Sequence, residues 1–227
     1  MNDPNLLYTI AVWLIPLVIA IVFHEVAHGY VARMFGDTTA ERSGRLTLNP
    51  IRHVDPIGTV VLPLLLAVAN APIFGWAKPV PVLASQLRNP RVHMMLVALA
   101  GPATSFVLAA LSGLALGAMI AGLGIPQAGV MLFVFQNLVN FILINVFLGV
   151  FNLIPLPPFD GGHVVQGLLP RAAAIQYSKL ARFGFPILLV LLLVLPAISP
   201  SADVIRLVIA PVASAVARFF LPAQIEF

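Results

Sequence analysis

The sequence predicts an all-α integral membrane protein with about five transmembrane helices and one further segment that dips into the membrane or lies on its surface. Hydrophobic residues make up 60% of the 227 residues and charged residues only 9%, and the mean hydropathy is +1.03. A soluble domain is about half apolar and about a quarter charged. Long apolar stretches also recur along the chain, separated by short polar segments. We therefore expect a single membrane-embedded domain over residues 1–227.

Six apolar stretches supply the predicted elements. In order they are Leu6–Met34, Ile57–Phe74, Val92–Leu123, Val130–Ile154, Phe183–Ile198 and Val204–Leu221. All except the second are about long enough to cross a hydrocarbon core of roughly 30 Å. The second is interrupted by Pro63 and Pro72. We expect this stretch to enter the membrane and return, or to lie on its surface, where its backbone must be buried against protein or a water-filled cavity.

Lysine and arginine residues orient the predicted spans. Segments 33–55, 75–91 and 171–182 carry them, whereas the turns 122–129 and 199–203 carry none. Short cytoplasmic loops are enriched in these residues. If the second apolar stretch returns to the side from which it came, all three basic segments are cytoplasmic and both neutral turns are external. We therefore expect a multi-pass protein of the cell (inner) membrane with its N-terminus outside.

Two further properties of the composition limit partners and cofactors. The net charge is +4, but the basic residues lie in short loops beside apolar stretches, so we expect contact with the lipid bilayer and none with nucleic acid. The chain has no cysteine. A metal ion must therefore be held by nitrogen and oxygen atoms.

The first apolar stretch contains His24-Glu25-Val26-Ala27-His28. Residues four apart share a helix face, so both imidazoles can reach one metal ion. Glu25 lies beside the first ligand, where its carboxylate can accept a proton from a water on that ion. An acidic side chain near the bilayer centre costs roughly 2.5–3.5 kcal/mol, which makes a functional role the favoured interpretation. The alternative is a hydrogen-bonded polar cluster between helices.

A catalytic zinc ion usually has three protein ligands and one open position, so a third ligand is needed. Asp160 follows Asn152, Pro155 and two further prolines that break the helix at membrane depth. Both this segment and His24 reach a similar depth on the cytoplasmic side of the predicted topology, so they can share a site. Asp160 could instead cap a short helix, and His163 is the rival third ligand. We expect His53 and His93 to be loop or interfacial histidines.

These residues resemble the site-2 protease family of intramembrane metalloproteases, in particular its compact members without a PDZ or CBS domain. Besides residues 24–28 and Asn152…Pro155…Asp160-Gly161, two stretches are similar, Leu48–Thr59 and Phe74–Pro81. The resemblance covers about residues 6–169 and leaves the helices of about residues 183–221 outside. Two motifs depart from the family pattern: Phe159 replaces the leucine before Asp160, and Ser105 replaces the asparagine that usually follows Ala-Gly-Pro.

The resemblance implies both an activity and a set of roles. His24, His28 and Asp160 would bind one Zn²⁺ per chain, Glu25 would be the general base, and Asn152 with Pro155 would help to seat an unwound substrate. Residues 36–82 would form a membrane-associated element with short β-strands. The implied function is an intramembrane zinc metalloendopeptidase that hydrolyses a peptide bond in or near the transmembrane segment of a membrane protein, with its active site toward the cytoplasm.

Two alternatives to the protease remain. A divalent-cation transporter or metal-binding membrane module would usually place polar residues on several helices and often show internal repeats. Here the ionisable groups are concentrated in two segments, and no repeat is visible. A catalytically inactive relative that acts as a scaffold would not need Glu25, because metal binding alone does not require that residue.

Overall fold

The computed structural model describes residues 6–68, 75–199, 201 and 203–225, and every regular element among them is helical. The α-helices are α1 Leu6–Met34, α2 Thr39–Arg42, α3 Leu62–Val68, α4 Pro90–Leu123, α5 Gly129–Asn152, α6 Asp160–Leu168, α7 Arg171–Ser178, α8 Ala181–Leu189, α9 Leu195–Ile198 and α10 Ala210–Ala217. Short 3₁₀ or π-helical segments extend or join them: Pro50–His53, Pro56–Val61, Ala84–Gln86, Val190–Val194 and Ile205–Ile209.

Within the described residues, four helical segments are long and apolar enough to cross a membrane. They are Leu6–Met34, Pro90–Leu123, Gly129–Asn152 and Ala181–Ile198, and each coincides with a predicted span. The fifth predicted span, Val204–Leu221, contains only the shorter helical stretch Ile205–Ala217. At 1.5 Å per residue this stretch is about 20 Å long, which is too short for a core of about 30 Å. The predicted number of five spans is therefore not confirmed.

Helix α4 is the centre of the fold, since it packs against α1, α5 and α6. Its N-terminus is set by the side chain of Asn89, which accepts a hydrogen bond from the Val92 N–H, and by Pro90 in the first turn, both favourable at that position. The Arg88 N–H donates to the Phe35 carbonyl at 3.1 Å. This bond places the start of α4 beside the end of α1, on the same side of the helix bundle.

The segment between α1 and α4 contains no β-strand in its described residues, so the predicted strands of residues 36–82 are not confirmed. The predicted dipping stretch forms a short helix, Pro56–Leu66. Phe74 of the similar Phe74–Pro81 stretch lies outside the described residues, as does the end of the dipping stretch. Residues 75–83, which we call the strap, have neither helix nor strand.

The break between α5 and α6 places Asp160. Helix α5 ends at Asn152. Pro155, Pro157 and Pro158 follow, and proline disfavours a helix because it lacks the backbone N–H and its ring clashes with the preceding turn. Helix α6 then begins at Asp160 and packs closely on the broken end of α5: a Cβ at Gly161 would lie 2.3 Å from the Leu153 carbonyl oxygen. Only glycine permits this approach. The first turn of α6 is thereby held against α5, with Asp160 at its start.

Helix α10 and the residues that follow it pack against α4 and α5. A buried cluster joins α4, α5 and the C-terminal region, formed by Ala109, Leu116, Ile142, Val146, Ala213, Ala217 and Leu221. Residues 183–221 therefore contribute to the core of the fold.

Candidate metal centre

His24 and His28 are buried one helical turn apart on α1, only 3% and 9% exposed. The Nδ1 atom of His28 lies 2.7 Å from the Val97 carbonyl oxygen on α4. Because a carbonyl can only accept a hydrogen bond, Nδ1 must carry the proton and donate it. The Nε2 lone pair of neutral His28 is then available to a metal ion. Such a hydrogen bond on the other ring nitrogen is usual for metal-binding histidines.

Asp160 approaches both imidazoles from α6. Its Oδ2 atom lies 3.2 Å from His24 Nε2 and 3.3 Å from His28 Nε2. The helix N-cap is Phe159, so the Asp160 side chain faces the histidines instead of capping the helix. Ligands at about 2.0–2.2 Å from a tetrahedral zinc ion lie roughly 3.4 Å from one another. Both carboxylate–imidazole distances match that separation.

Ser105 contacts the second nitrogen of His24. Its side chain is fully buried on α4, and its Oγ lies 3.1 Å from His24 Nδ1. When Nε2 of neutral His24 presents its lone pair to a metal ion, Nδ1 carries the proton and Ser105 Oγ accepts it. The serine that departs from the family pattern therefore contacts the ring nitrogen opposite the candidate metal-binding atom, and a hydrogen bond there fixes the tautomer and orientation of an imidazole.

Space for an ion is kept by Gly101 on α4. A Cβ at this position would lie 2.4 Å from His28 Nε2 and 2.6 Å from His24 Nε2. Any side chain there would occupy the volume next to the two ligand atoms. The three ligand atoms of His24, His28 and Asp160 all lie within 4.8 Å of one another. Two imidazole nitrogens and one carboxylate oxygen are a donor set that zinc accepts, so the residues fit this ion.

His24, His28 and Asp160 line a cavity with a volume of about 260 Å³, and Glu25 lines it as well. Its Oε2 atom accepts a hydrogen bond of 2.9 Å from the backbone N–H of Val80 in the strap. The carboxylate therefore extends from α1 toward the strap, and its other oxygen, Oε1, is not used in this bond. This arrangement places an acid–base group beside the candidate ligands.

Of the other residues that the sequence predicted near the site, Asn152 and His163 line this cavity and Pro155 does not. Asn152 lines the cavity, and its amide nitrogen donates to the Leu148 carbonyl at 2.9 Å. His163 also lines the cavity but is not part of the cluster of ligand atoms found among the described residues. Pro155 does not line it; its carbonyl accepts a hydrogen bond from the Tyr177 hydroxyl at 2.9 Å. Pro158 lies in the wall instead.

The other two histidines lie away from the cavity. His53 is only 3% exposed, and its Nε2 lies 2.9 Å from the Thr47 carbonyl oxygen. His93 stacks on Phe35 with ring centroids 4.0 Å apart. Sequence reasoning gave no function to Gly101 or Val80. Gly101 stands in the Ala-Gly-Pro motif and Val80 in the Phe74–Pro81 stretch, and the similarity of these two segments to the family was the available signal.

Comparisons with known proteins give a consistent result. A family model described as "Peptidase family M50" matches residues 119–195, a range that includes Asp160. The chain is 39% identical over 177 residues to "Putative zinc metalloprotease YwhC" of Bacillus subtilis, with 78% of each chain covered. It is 28% identical over 191 residues to "Putative zinc metalloprotease Rip2" of Mycolicibacterium smegmatis, covering 84% of this chain and 68% of the relative. No solved structure gives a significant match.

Proposed function

Because the chain belongs to peptidase family M50, the site-2 protease family of membrane zinc metalloproteases, we propose that it hydrolyses a peptide bond within or near the transmembrane segment of a membrane protein. The observation that carries this proposal is the meeting of His24, His28 and Asp160 around one small cavity that Glu25 also lines. Both histidines and Glu25 belong to α1, a candidate membrane span. Hydrolysis at this depth acts on a substrate inside the bilayer.

Zinc is the cofactor, and in this proposal His24, His28 and Asp160 hold it. When bound, zinc acts as a Lewis acid that lowers the pKa of a coordinated water to about 7 and polarises the substrate carbonyl. With Nε2 of each histidine turned to the ion, the Nδ1 proton of His28 is held by the Val97 carbonyl and that of His24 by the Ser105 hydroxyl. The ligands are therefore oriented before substrate arrives, which limits the reorganisation needed during the reaction.

Glu25 moves the proton. Its Oε2 atom is occupied by the Val80 N–H, which leaves Oε1 to take a proton from the attacking water. The same carboxylate then returns that proton to the leaving amide nitrogen. Asn152 lies in the wall of the cavity, where its amide can hydrogen-bond an unwound substrate backbone. No covalent intermediate with the enzyme is required.

We also propose that the active site opens toward the cytoplasm of a cell (inner) membrane. The Arg91 guanidinium donates to the carbonyls of Gly167 and Leu169 and so joins the start of α4 to the end of α6. The three basic segments therefore belong to the same end of the bundle, which supports the orientation required by the positive-inside rule.

The test uses purified wild type and Glu25→Gln in detergent or liposomes. The substrates are tagged single-span peptides whose helices contain glycine or proline, and each reaction is run with and without a zinc chelator. We expect the wild type to cleave, the chelator to stop cleavage, and Glu25→Gln to retain zinc without cleaving. Cleavage by Glu25→Gln would remove Glu25 as the base. Zinc flux into liposomes without cleavage would favour a transporter instead.

A further inference from the structure

Arg45 is a charged residue buried outside the metal centre, only 7% exposed. Its guanidinium donates to backbone carbonyls: one nitrogen to Arg52, and the other to Lys78 and Pro79 of the strap. Within the described part of the chain it has no carboxylate partner. Burying an arginine is costly unless its donors are satisfied. Its two terminal nitrogens meet that condition through these carbonyls, whereas its Nε atom is buried without a partner among the described residues. The guanidinium thereby joins two pieces of irregular backbone.

The strap has a second buried charged anchor at its other end. Asp37 is fully buried, and its Oδ2 atom accepts a hydrogen bond of 2.6 Å from the Leu83 N–H. Arg45 therefore fixes the strap at residues 78 and 79, and Asp37 fixes it at residue 83. Because the strap has no helix or strand of its own, its position depends on such side-chain anchors.

Val80 lies between these two anchors. It is flanked by Pro79 and Pro81, so it carries the only backbone N–H of residues 79–81. Proline fixes its own φ angle and restricts the residue before it to extended backbone. The single N–H therefore points in a defined direction, and it donates to Glu25 Oε2 at 2.9 Å.

We infer that Arg45 is a positioning residue for Glu25, acting through the strap and the Val80 N–H. This inference rests on the proposed function, in which Glu25 is the general base. Anchoring the carbonyl of Pro79 sets the place of the next amide, and that amide holds one carboxylate oxygen. The guanidinium fork can bind the carbonyls of Arg52 and of the strap together, which a lysine ammonium cannot reproduce.

The first measurement does not depend on activity. Hydrogen–deuterium exchange of the zinc-loaded protein in detergent is followed by mass spectrometry on peptides that contain Pro79–Pro81. Since the prolines carry no amide, exchange within this tripeptide reports Val80 alone. We expect Arg45→Met to accelerate Val80 exchange about tenfold, and Arg45→Lys to have a smaller effect. The matched control is Arg52→Met, which removes an exposed arginine whose backbone carbonyl, not its side chain, meets Arg45.

The second measurement is turnover of the transmembrane peptide that the wild type cleaves. A displacement of about 1 Å at a catalytic group can cost up to about 10²-fold. We expect Arg45→Met to lower kcat about tenfold or more while KM and the one bound zinc ion stay unchanged. A backbone variant tests the same bond directly: replacement of Val80 by its α-hydroxy analogue removes the N–H alone. It should reproduce the loss in kcat, whereas the same replacement at Val82 should not.

Each outcome has a defined meaning. Unchanged Val80 exchange in Arg45→Met, or wild-type kcat in the Val80 α-hydroxy variant, would overturn the inference. Loss of zinc or of the folded state together with kcat in Arg45→Met, with normal kcat in the backbone variant, would also overturn it by showing a purely structural role. If the wild type cleaves no substrate, the proposed function fails, and the exchange data still decide whether Arg45 holds the strap.

Discussion

Replacing Gly101 by alanine tests the metal centre with the addition of one methyl group. The new Cβ would lie 2.4 Å from His28 Nε2 and 2.6 Å from His24 Nε2. An unstrained contact needs about 3.4 Å, so each imidazole must retreat by roughly 0.8–1.0 Å. The retreat is resisted because the opposite nitrogen of His28 is held by the Val97 carbonyl at 2.7 Å.

The expected loss is in zinc affinity more than in stability. Zinc–nitrogen bonds are about 2.0–2.1 Å long and tolerate deviations of about 0.2 Å. A shift of both ligands by roughly 0.8 Å or more exceeds that tolerance several times over. Loss of a single residue that hydrogen-bonds a metal ligand usually costs about 10–100-fold in metal affinity. We therefore expect Gly101→Ala to lower zinc affinity by at least about 100-fold, which corresponds to about 2.7 kcal/mol.

The assay is competition for zinc between the detergent-solubilised protein and a chelator of known affinity. Gly122→Ala is the matched control, because it lies on the same helix and its Cβ would meet nothing within 4 Å. Alanine favours a helix over glycine by about 1 kcal/mol, so the control should unfold no more readily than the wild type. Wild-type zinc affinity in Gly101→Ala would refute the placement of the two Nε2 atoms against α4.

Three further predictions concern single side chains. Ser105→Ala removes the partner of a ligand histidine and should lower zinc affinity about tenfold in the same competition assay. Asp160→Asn removes the charged ligand and should reduce zinc bound at equilibrium dialysis below one ion per chain. Burial raises the pKa of Asp37, but hydrogen bonds from Thr39 and Leu83 outweigh it and lower that pKa below its ordinary value of 3.8. A lowered pKa in the folded state gives stability that is present above pH 3.8 and is lost as the pH falls through the folded value. The unfolding temperature of Asp37→Asn should therefore change less with pH over that range than the unfolding temperature of the wild type.

Each of these predictions has a matched control. Ser112→Ala removes another buried serine of α4 and should leave zinc affinity unchanged; an equal loss in both serine variants would contradict the role of Ser105. Full zinc occupancy in Asp160→Asn would exclude the carboxylate as a ligand. For the pH measurement, made on zinc-free proteins, the control is Glu41→Gln. Glu41 forms an exposed ion pair with Arg33. A pH dependence in Asp37→Asn equal to that of the wild type would contradict the assignment.

The sequence predicted the membrane helices well because their signal is local. A long apolar run must form its backbone hydrogen bonds internally in lipid, so α1, α4 and α5 follow from composition and length alone. The predicted strands of residues 36–82 are not seen in the described residues, because strand pairing depends on distant partners. There the backbone forms isolated hydrogen bonds instead of a strand ladder; for example, the Lys78 N–H donates to the His53 carbonyl.

The candidate site was likewise predictable where it depends on local sequence and not where it depends on contacts between distant segments. The spacing of His24 and His28 predicted a shared helix face, and the proline-rich break predicted a carboxylate at similar depth. Ser105 and Gly101 could not be found in this way, because their importance depends on which helix face of α4 meets α1. Only packing decides that face: the two residues lie four positions apart on α4, where Gly101 faces the Nε2 atoms of both histidines and Ser105 contacts Nδ1 of His24.

The centre of the molecule is therefore built by α4, which carries none of the proposed ligands. It supplies the Val97 carbonyl and the Ser105 hydroxyl that orient the imidazoles, and the Gly101 gap that leaves room for an ion. The strap supplies the equivalent restraint for Glu25 through Val80. Polar side chains packed among membrane helices have few waters to orient them, so each group of the proposed site gains from a fixed protein partner on its second atom. Changes in these partners should alter zinc affinity or turnover while the membrane helices persist.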